Sequence, residues 1–241
     1  MPRSVKPLLI SAGVAVAAAA LALLSYAATK PEEAGTTVQG APRGQGQSWS
    51  EAADPKLLAL ARRDPADAMA VGRPDAPVVL IEYADYQCGY CAKHARDTAP
   101  ALIEKYVKDG TLRIEWRNAT IFGEQSEAAA RAAWAAGRQG RFQQFHAAAY
   151  AEGVKEQGFG PDRLKALAEE AGVPDLDRFL KDTDGPEARA ALKKDQDEAA
   201  RIGVRSTPSF LINGHPVSGA QPLEYFTAAV KMAADRPRTQ G

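Results

Sequence analysis

The sequence predicts an α/β domain: a central mixed sheet flanked by helices, with an all-helical block inserted into it. Three observations predict it. Val78-Val79-Leu80-Ile81-Glu82-Tyr83-Ala84 is a β-rich run followed by a helical stretch and a second strand-like run, Leu112-Arg113-Ile114-Glu115-Trp116. A strand–helix–strand order of this kind gives right-handed crossovers and parallel strands. Five helical segments then fill residues 122–204, and an Asn-Gly turn between two short strand runs follows them.

Taken in order, Asp54-Pro55 opens a short helix, with Asp54 as cap and Pro55 in the first turn, expected to run to about Arg63. Gly72, Pro74 and Pro77 break the chain. The run at 78–84 is nearly continuous in apolar residues, which suits a central strand covered on both faces. From Cys88 to about Lys108 a helical period runs through Ala92, Ala95, Leu102, Ile103 and Val107, and Asp109-Gly110 ends it. The strand at 112–116 alternates apolar and charged residues. Helices are expected at Glu124–Gly137, Arg141–Glu152, Pro161–Ala171, Asp175–Asp182 and Glu187–Ile202, punctuated by glycines and Pro174. Ser209–Ile212 and His215–Ser218 flank Asn213-Gly214 as a hairpin, and Pro222 opens a last helix to about Ala234. Without the helical block, this order is the thioredoxin arrangement.

Composition narrows the function. The chain has 241 residues, 45% of them hydrophobic and 25% charged, a normal globular mix. Thirty basic and thirty acidic residues cancel, but unevenly. Residues 1–30 carry Arg3, Lys6 and Lys30 with no acid, so the remainder is mildly acidic and has no basic stretch to follow a phosphate backbone. A nucleic-acid partner is not expected.

Leu8 to Ala28 contains no charge. Its length favours a membrane anchor over a signal-peptide core, although Ser25-Tyr26-Ala27 could be cleaved and a buried helix is the bland alternative. The basic residues before it and Glu32 and Glu33 after it place everything beyond residue 30 outside the cytoplasm. The expected organisation is therefore an anchor or signal in residues 1–30, a Gly/Pro-rich linker over 31–50 and one domain over 51–241 with its helical insertion at about 122–204; the tail after Asp235 is expected to fray.

The two cysteines, Cys88 and Cys91, are the only ones. That excludes a disulfide scaffold and a four-cysteine zinc site. They sit where a strand turns into a helix, so Cys88 meets the free N–H groups and positive dipole end of the helix, which stabilise a thiolate. Cys91 is one turn on, close enough to form a disulfide. Half a metal site or a passive disulfide are the alternatives, but His94, His146 and His215 are not paired at ligand spacing, and His94 reads as a solvated helix-face residue. No metal and no cofactor are expected.

With Ala76–Tyr83, Tyr86-Gln87-Cys88-Gly89-Tyr90-Cys91 and Gly203-Val204-Arg205-Ser206-Thr207-Pro208-Ser209-Phe210 in view, continuing into Ile212-Asn213-Gly214 and Gly219-Ala220, the chain over about residues 69–234 resembles the DsbA-like thiol–disulfide oxidoreductases of the thioredoxin superfamily. The resemblance implies a thioredoxin fold with a helical insertion. It implies that Cys88 is the nucleophile and Cys91 the resolving thiol of a redox disulfide. It matches Thr207-Pro208 to the family's cis-proline position, lying against the cysteines and lining the substrate. It also places Glu82 where the family has an acid beneath the buried cysteine. Glu82 interrupts an apolar strand, so burial should raise its pKa and fit it to carry protons for Cys91; a solvated or ion-paired carboxylate is the alternative.

Gly89-Tyr90 is the dipeptide that tunes the potential. It departs from the Pro-His of strong oxidases and resembles that of disulfide isomerases, which leaves the direction of electron flow open. The expected task is oxidation of cysteines in exported proteins, with unfolded or folding secreted proteins as substrates and a membrane redox partner recycling the site. A reductase or isomerase on the same site is the near rival, and a non-catalytic binding module or holdase the rival of another class. Trp116, Trp134, Phe142 and Phe145 are spaced as core residues, while Tyr83, Tyr86 and Tyr90 could form an apolar rim around the cysteines.

Overall fold

In a computed structural model, residues 53–236 are described. The segments expected to anchor and tether (1–30 and 31–50) lie outside them, as does the tail expected to fray except for its first residue, Arg236, whose guanidinium meets His215 Nε2 at 2.9 Å. The predicted fold is present: a five-stranded mixed sheet flanked by helices, with a helical block between its third and fourth strands. The strands are β1 (Ala70–Val71), β2 (Val78–Ala84), β3 (Leu112–Asn118), β4 (Ser209–Ile212) and β5 (His215–Ser218), in spatial order β1-β3-β2-β4-β5. Only β2 and β3 run parallel; the other neighbours are antiparallel.

β2 is central and every residue of it is buried, as its continuous apolar run demands. Val78 and Leu80 face one layer with Phe210 and Phe226, while Val79, Ile81 and Tyr83 face the other with Leu211 and Ala199. The hairpin turns on Asn213 and Gly214, both with positive φ (44° and 79°). Asn213 also stitches the turn to β2: its side chain accepts from the Val79 N–H at 2.8 Å and donates to the Pro77 carbonyl. A Cβ at Gly214 would run into the Leu58 backbone.

The helices are α1 (Pro55–Leu58), α2 (Gly89–Asp97), α3 (Ala99–Leu102, continuing as a π turn through Val107), α4 (Glu124–Gly137), α5 (Phe142–Ala149), α6 (Pro161–Glu170), α7 (Leu176–Thr183), α8 (Pro186–Arg201) and α9 (Leu223–Ala234). α4 to α8 are the inserted block. Its Ala-rich α4 packs closely on α5, α7 and α8, and Ala129, Ala132, Ala133, Ala135 and Ala136 are all buried.

Several expectations need correction. α1 stops at Leu58 rather than Arg63, because the N–H groups of Arg62 and Arg63 turn to the Glu115 carboxylate at 3.0 and 2.7 Å instead of to helix carbonyls. The helix after Cys88 breaks at Thr98, where Pro100 in the next turn disfavours helical geometry nearby. α5 ends at Ala149, and the Tyr150 carbonyl there accepts from the Arg96 guanidinium at 2.9 Å.

β1, two residues long, was not expected. Nor does the alternation of apolar and charged residues in β3 announce that the whole strand is buried. Its charged face is instead closed by ions. Arg117 pairs with Glu115 (2.7 Å) and Glu198 (3.1 Å), Arg113 with Glu115 (2.9 Å), and Arg62 with Asp195 (2.8 Å). This network ties the last helix of the insertion to the sheet.

Candidate active site

The site grows from the end of β2. Asp85 follows the strand, fully buried, and its carboxylate accepts four hydrogen bonds: from the N–H groups of Gln87, Ile121 and Phe122 and from the Ser126 hydroxyl. One side chain thereby fixes both the turn before the cysteines and the loop that leads into α4. The Asp85 carbonyl accepts from the Cys88 N–H, and Cys88 becomes the extended N-cap of α2.

No side chain caps this helix, so its first N–H groups remain available to the sulfur. Both cysteines are free thiols and buried. The Cys91 S–H, the Thr207 side chain and the N–H groups of Cys91 and Tyr90 together hold Cys88 down at about 5, against the opposing cost of burial. Cys91 goes the other way: burial first, and the neighbouring Cys88 second, push its thiol far up. One sulfur is a thiolate at neutral pH and the other a thiol that must lose a proton before it can attack.

Thr207-Pro208 is a cis peptide bond, and the Cys88 sulfur lies 3.2 Å from the Thr207 carbonyl. The structure thus brings together Cys88, Cys91, Thr207 and Pro208, with Gly89 and Tyr90 exposed at the helix start. The expected tyrosine rim fails: Tyr90 is 70% exposed, but Tyr83 and Tyr86 are buried. Tyr83 donates to Glu198 in the ion network, and Tyr86 stacks on Tyr150 and meets His146 Nδ1 at 3.2 Å. Of the expected core aromatics, Trp116, Phe142 and Phe145 are buried and Trp134 is half-buried under the Arg138 guanidinium. A cleft of about 260 Å³ runs beside Gly89, between α2 and the segment after α5, with Arg96, Tyr150 and Lys155 in its walls.

Glu82 lies beneath the cysteines, on the sheet face that α2 covers. Burial pushes its carboxyl up to about 8, and among the described residues it forms no ion pair with a lysine or arginine. His94 Nε2 lies 3.8 Å from its Oε2. His94 is not the solvated residue expected. It is buried, sandwiched against Phe210 and Phe226 at ring separations of 4.7 and 5.0 Å, and burial pulls it down to about 4. Asp85, His94 and Tyr150 were all missed as site residues. The one signal was available for His94: it sits three residues after Cys91 and so shares its helix face.

Comparison with known proteins agrees with this arrangement. The thioredoxin family profile matches residues 65–232. The chain is 33% identical over 174 residues to a Na(+)/H(+) antiporter of Salinispora tropica, but that match covers 70% of this chain and 26% of the antiporter. It is 28% identical over 151 residues to a probable disulfide bond formation protein D of Bacillus cereus, covering 60% of this chain and 69% of that one. A thioredoxin-like oxidoreductase of Silicibacter pomeroyi superposes with a TM-score of 0.62 at 29% identity, over 77% of this chain and all of that one. The chain thus spans about a quarter of the antiporters' length, and no helix among the described residues is long and apolar enough to cross a membrane. A thiolate at a helix start stands beside a buried thiol, and the chain belongs to the thioredoxin family.

Proposed function

We propose that this chain is a DsbA-like, extracytoplasmic thiol–disulfide oxidoreductase that oxidises cysteine pairs in exported proteins. The observation that carries the direction is the Cys88 sulfur held at about 5. A thiolate stabilised that strongly favours the reduced enzyme, so the disulfide is a strong oxidant and Cys88 a good leaving group.

In the reaction, a substrate thiolate attacks Cys88 Sγ of the disulfide. The S–S bond breaks, its electron pair leaves with Cys91, and Cys91 takes a proton from the Glu82 carboxyl. A second substrate thiolate attacks the substrate sulfur of the mixed disulfide and releases Cys88 as a thiolate. Two electrons have passed from substrate to enzyme, and a disulfide-bearing membrane partner removes them again. Thr207-Pro208 lines the substrate beside Cys88, where the Thr207 backbone could pair with an extended chain; Gly89 and Tyr90 form the exposed lip.

Residues 8–28 tether the domain to the membrane, or are cleaved from it, with residues 31–50 as linker and the domain outside the cytoplasm. The similarity to a protein named for disulfide bond formation supports the reading. The Gly89-Tyr90 dipeptide favours the reverse direction, reductase or isomerase. One measurement separates the two: the reduction potential of the Cys88–Cys91 pair, equilibrated with glutathione. A value near about −120 mV is expected; one near about −270 mV would replace oxidase with reductase.

A further inference from the structure

Among the described residues, six large apolar side chains stand exposed, and two of them are neighbours in sequence: Ile121 at 49% and Phe122 at 54%. Single exposed apolar residues are ordinary, whereas an adjacent pair in water beside a reactive sulfur is the kind of patch that binds. The pair lies in residues 119–123, the link from β3 to α4. The register of the sheet locates that link. Ser209, Tyr83 and Arg117 form one row across β4, β2 and β3. Just beyond the row come Thr207-Pro208 before β4, Cys88 after β2 and the link after β3. Cys88 therefore has the cis-proline on one flank and Ile121-Phe122 on the other.

The backbone of the link is tied down along its length. The Ala119 N–H donates to the Ala84 carbonyl at 3.0 Å, and Gln196 of α8 donates to the Thr120 hydroxyl. The N–H groups of Ile121 and Phe122 donate to Asp85 Oδ2 at 2.7 and 3.2 Å. The other oxygen of that carboxylate accepts from Gln87, the residue before Cys88. One buried carboxylate thus spans from the link to the turn that carries the sulfur. These bonds use the backbone, and neither side chain packs into the core clusters of the described residues. From Asn118 to Gly123 the link carries no charged residue.

A polypeptide joined to Cys88 by a disulfide has to cross this end of the sheet. Neighbouring strands lie about 4.8 Å apart, and an extended chain advances about 3.3 Å per residue. The crossing from Thr207 to the end of β3 covers two strand spacings, about 10 Å or about three residues. A side chain roughly one to three positions from the attacked cysteine then meets Ile121 and Phe122.

We propose that Ile121 and Phe122 form a substrate subsite for a large apolar side chain close in sequence to the attacked cysteine, on the flank away from Thr207-Pro208. This rests on the proposed reaction, in which a polypeptide becomes disulfide-linked to Cys88. The subsite ranks cysteines by their neighbours. A cysteine beside Phe or Leu, as in a segment bound for a buried core, is taken before one in a polar loop.

The test is thiol exchange at equilibrium on the full chain carrying Cys91→Ala, in which a mixed disulfide at Cys88 persists. Single-cysteine peptides of Gly and Ser compete with glutathione for Cys88, and mass spectrometry reads the occupancy. Each peptide carries one Phe, or Ser in its place, at a position up to about three residues from the cysteine on either side. At one or more positions on one side, Phe should be favoured over Ser about tenfold, the worth of about 60 Å² of apolar surface removed from water. Adding Ile121→Ser and Phe122→Ser should bring that ratio to about one. Both substitutions keep the N–H groups that Asp85 holds. Each ratio compares two peptides on one protein, so a general change in thiol reactivity cancels.

A ratio near one at every position in Cys91→Ala overturns the subsite, and so does a preference that survives Ile121→Ser with Phe122→Ser. If the chain sediments as a dimer that these two substitutions dissociate, the patch is an interface between copies and the subsite falls. If Cys88 takes up none of the peptides, the proposed reaction itself fails, a result distinct from uptake without preference.

Discussion

Glu82→Gln should make the oxidised protein more stable, and increasingly so as pH rises. The native carboxyl, buried without a strong cation, titrates at about 8 where an unfolded one titrates at 4.5. Below pH 4.5 both states hold the proton and there is no penalty. Between 4.5 and 8 the unfolded chain releases its proton and the native state keeps it, so native stability falls with rising pH. Above 8 both are ionised and the penalty is constant. At 1.36 kcal/mol per pKa unit, the cost of Glu82 is on the order of 3 kcal/mol at pH 7 and about 5 kcal/mol above pH 8. Glutamine removes the ionisation but keeps a buried polar group, so the observed gain should be about 1–3 kcal/mol at pH 8 and near zero at pH 4.5. The assay is urea unfolding of both proteins in the disulfide form, which removes cysteine titration, across pH 4.5 to 8.5. His94 is present in both and largely cancels. Parallel stability profiles for the two proteins would refute the reasoning, since they would mean that Glu82 is ionised at no unusual cost.

Replacing Cys91 with Ala removes the largest stabiliser of the Cys88 thiolate, so its midpoint should rise from about 5 by about one to two units, read from thiolate absorbance during a pH titration. Because Cys88 is depressed in the native state, it contributes stability that grows as pH rises from about 5 toward 9, so reduced Cys88→Ser should lose stability relative to the reduced wild type over that range, read as a widening gap between the two in calorimetry. Arg117→Met removes the guanidinium that bridges Glu115 and Glu198, leaving Glu198 to Arg62 and Tyr83, and should cost about 3 kcal/mol in chemical unfolding, with the potential unchanged. Gly137→Ala drives a Cβ into the Ala68 carbonyl and should cost about 1–3 kcal/mol, seen as a lower thermal midpoint without a change in thiol reactivity.

What could be read from the sequence was what local chemistry decides. Val78–Ala84 is a strand because seven residues in a row suit a covered sheet, and Asn213-Gly214 is a turn because both residues accept positive φ. Cys88 is activated by its place at a helix start, a feature of a few residues. What escaped depends on distant partners. The Arg113-Glu115-Arg117 alternation reads as a solvated face until Asp195 and Glu198, some 80 residues later, arrive on α8 to bury it. His94 reads as a surface residue until Phe210 and Phe226 close over it. Thr98 looks like the middle of one long helix, and only Pro100, passed over in the apolar period, argues otherwise. Two residues are too few for β1 to announce itself, since its pairing with Glu115 and Ile114 defines it.

The two faces of the sheet carry buried charge in opposite ways, and the contrast separates support from chemistry. In β3, Glu115 stands beside Ile81 and Arg117 beside Tyr83; in β2, Glu82 stands beside Trp116 and points to the other layer. On the first face each carboxylate meets guanidinium groups at 2.7 to 3.2 Å, and Glu115 is held below its ordinary value despite its burial. Such a network serves to dock α8 on the sheet. On the second face, among the described residues, Glu82 has only a neutral histidine at 3.8 Å, and its value is driven into the range where protons are exchanged in water. Burial is common to both. The missing counter-charge is what would suit this carboxyl to the proton-carrier role proposed for it, and a lysine or arginine installed within reach of Glu82 should stabilise the fold while slowing Cys91.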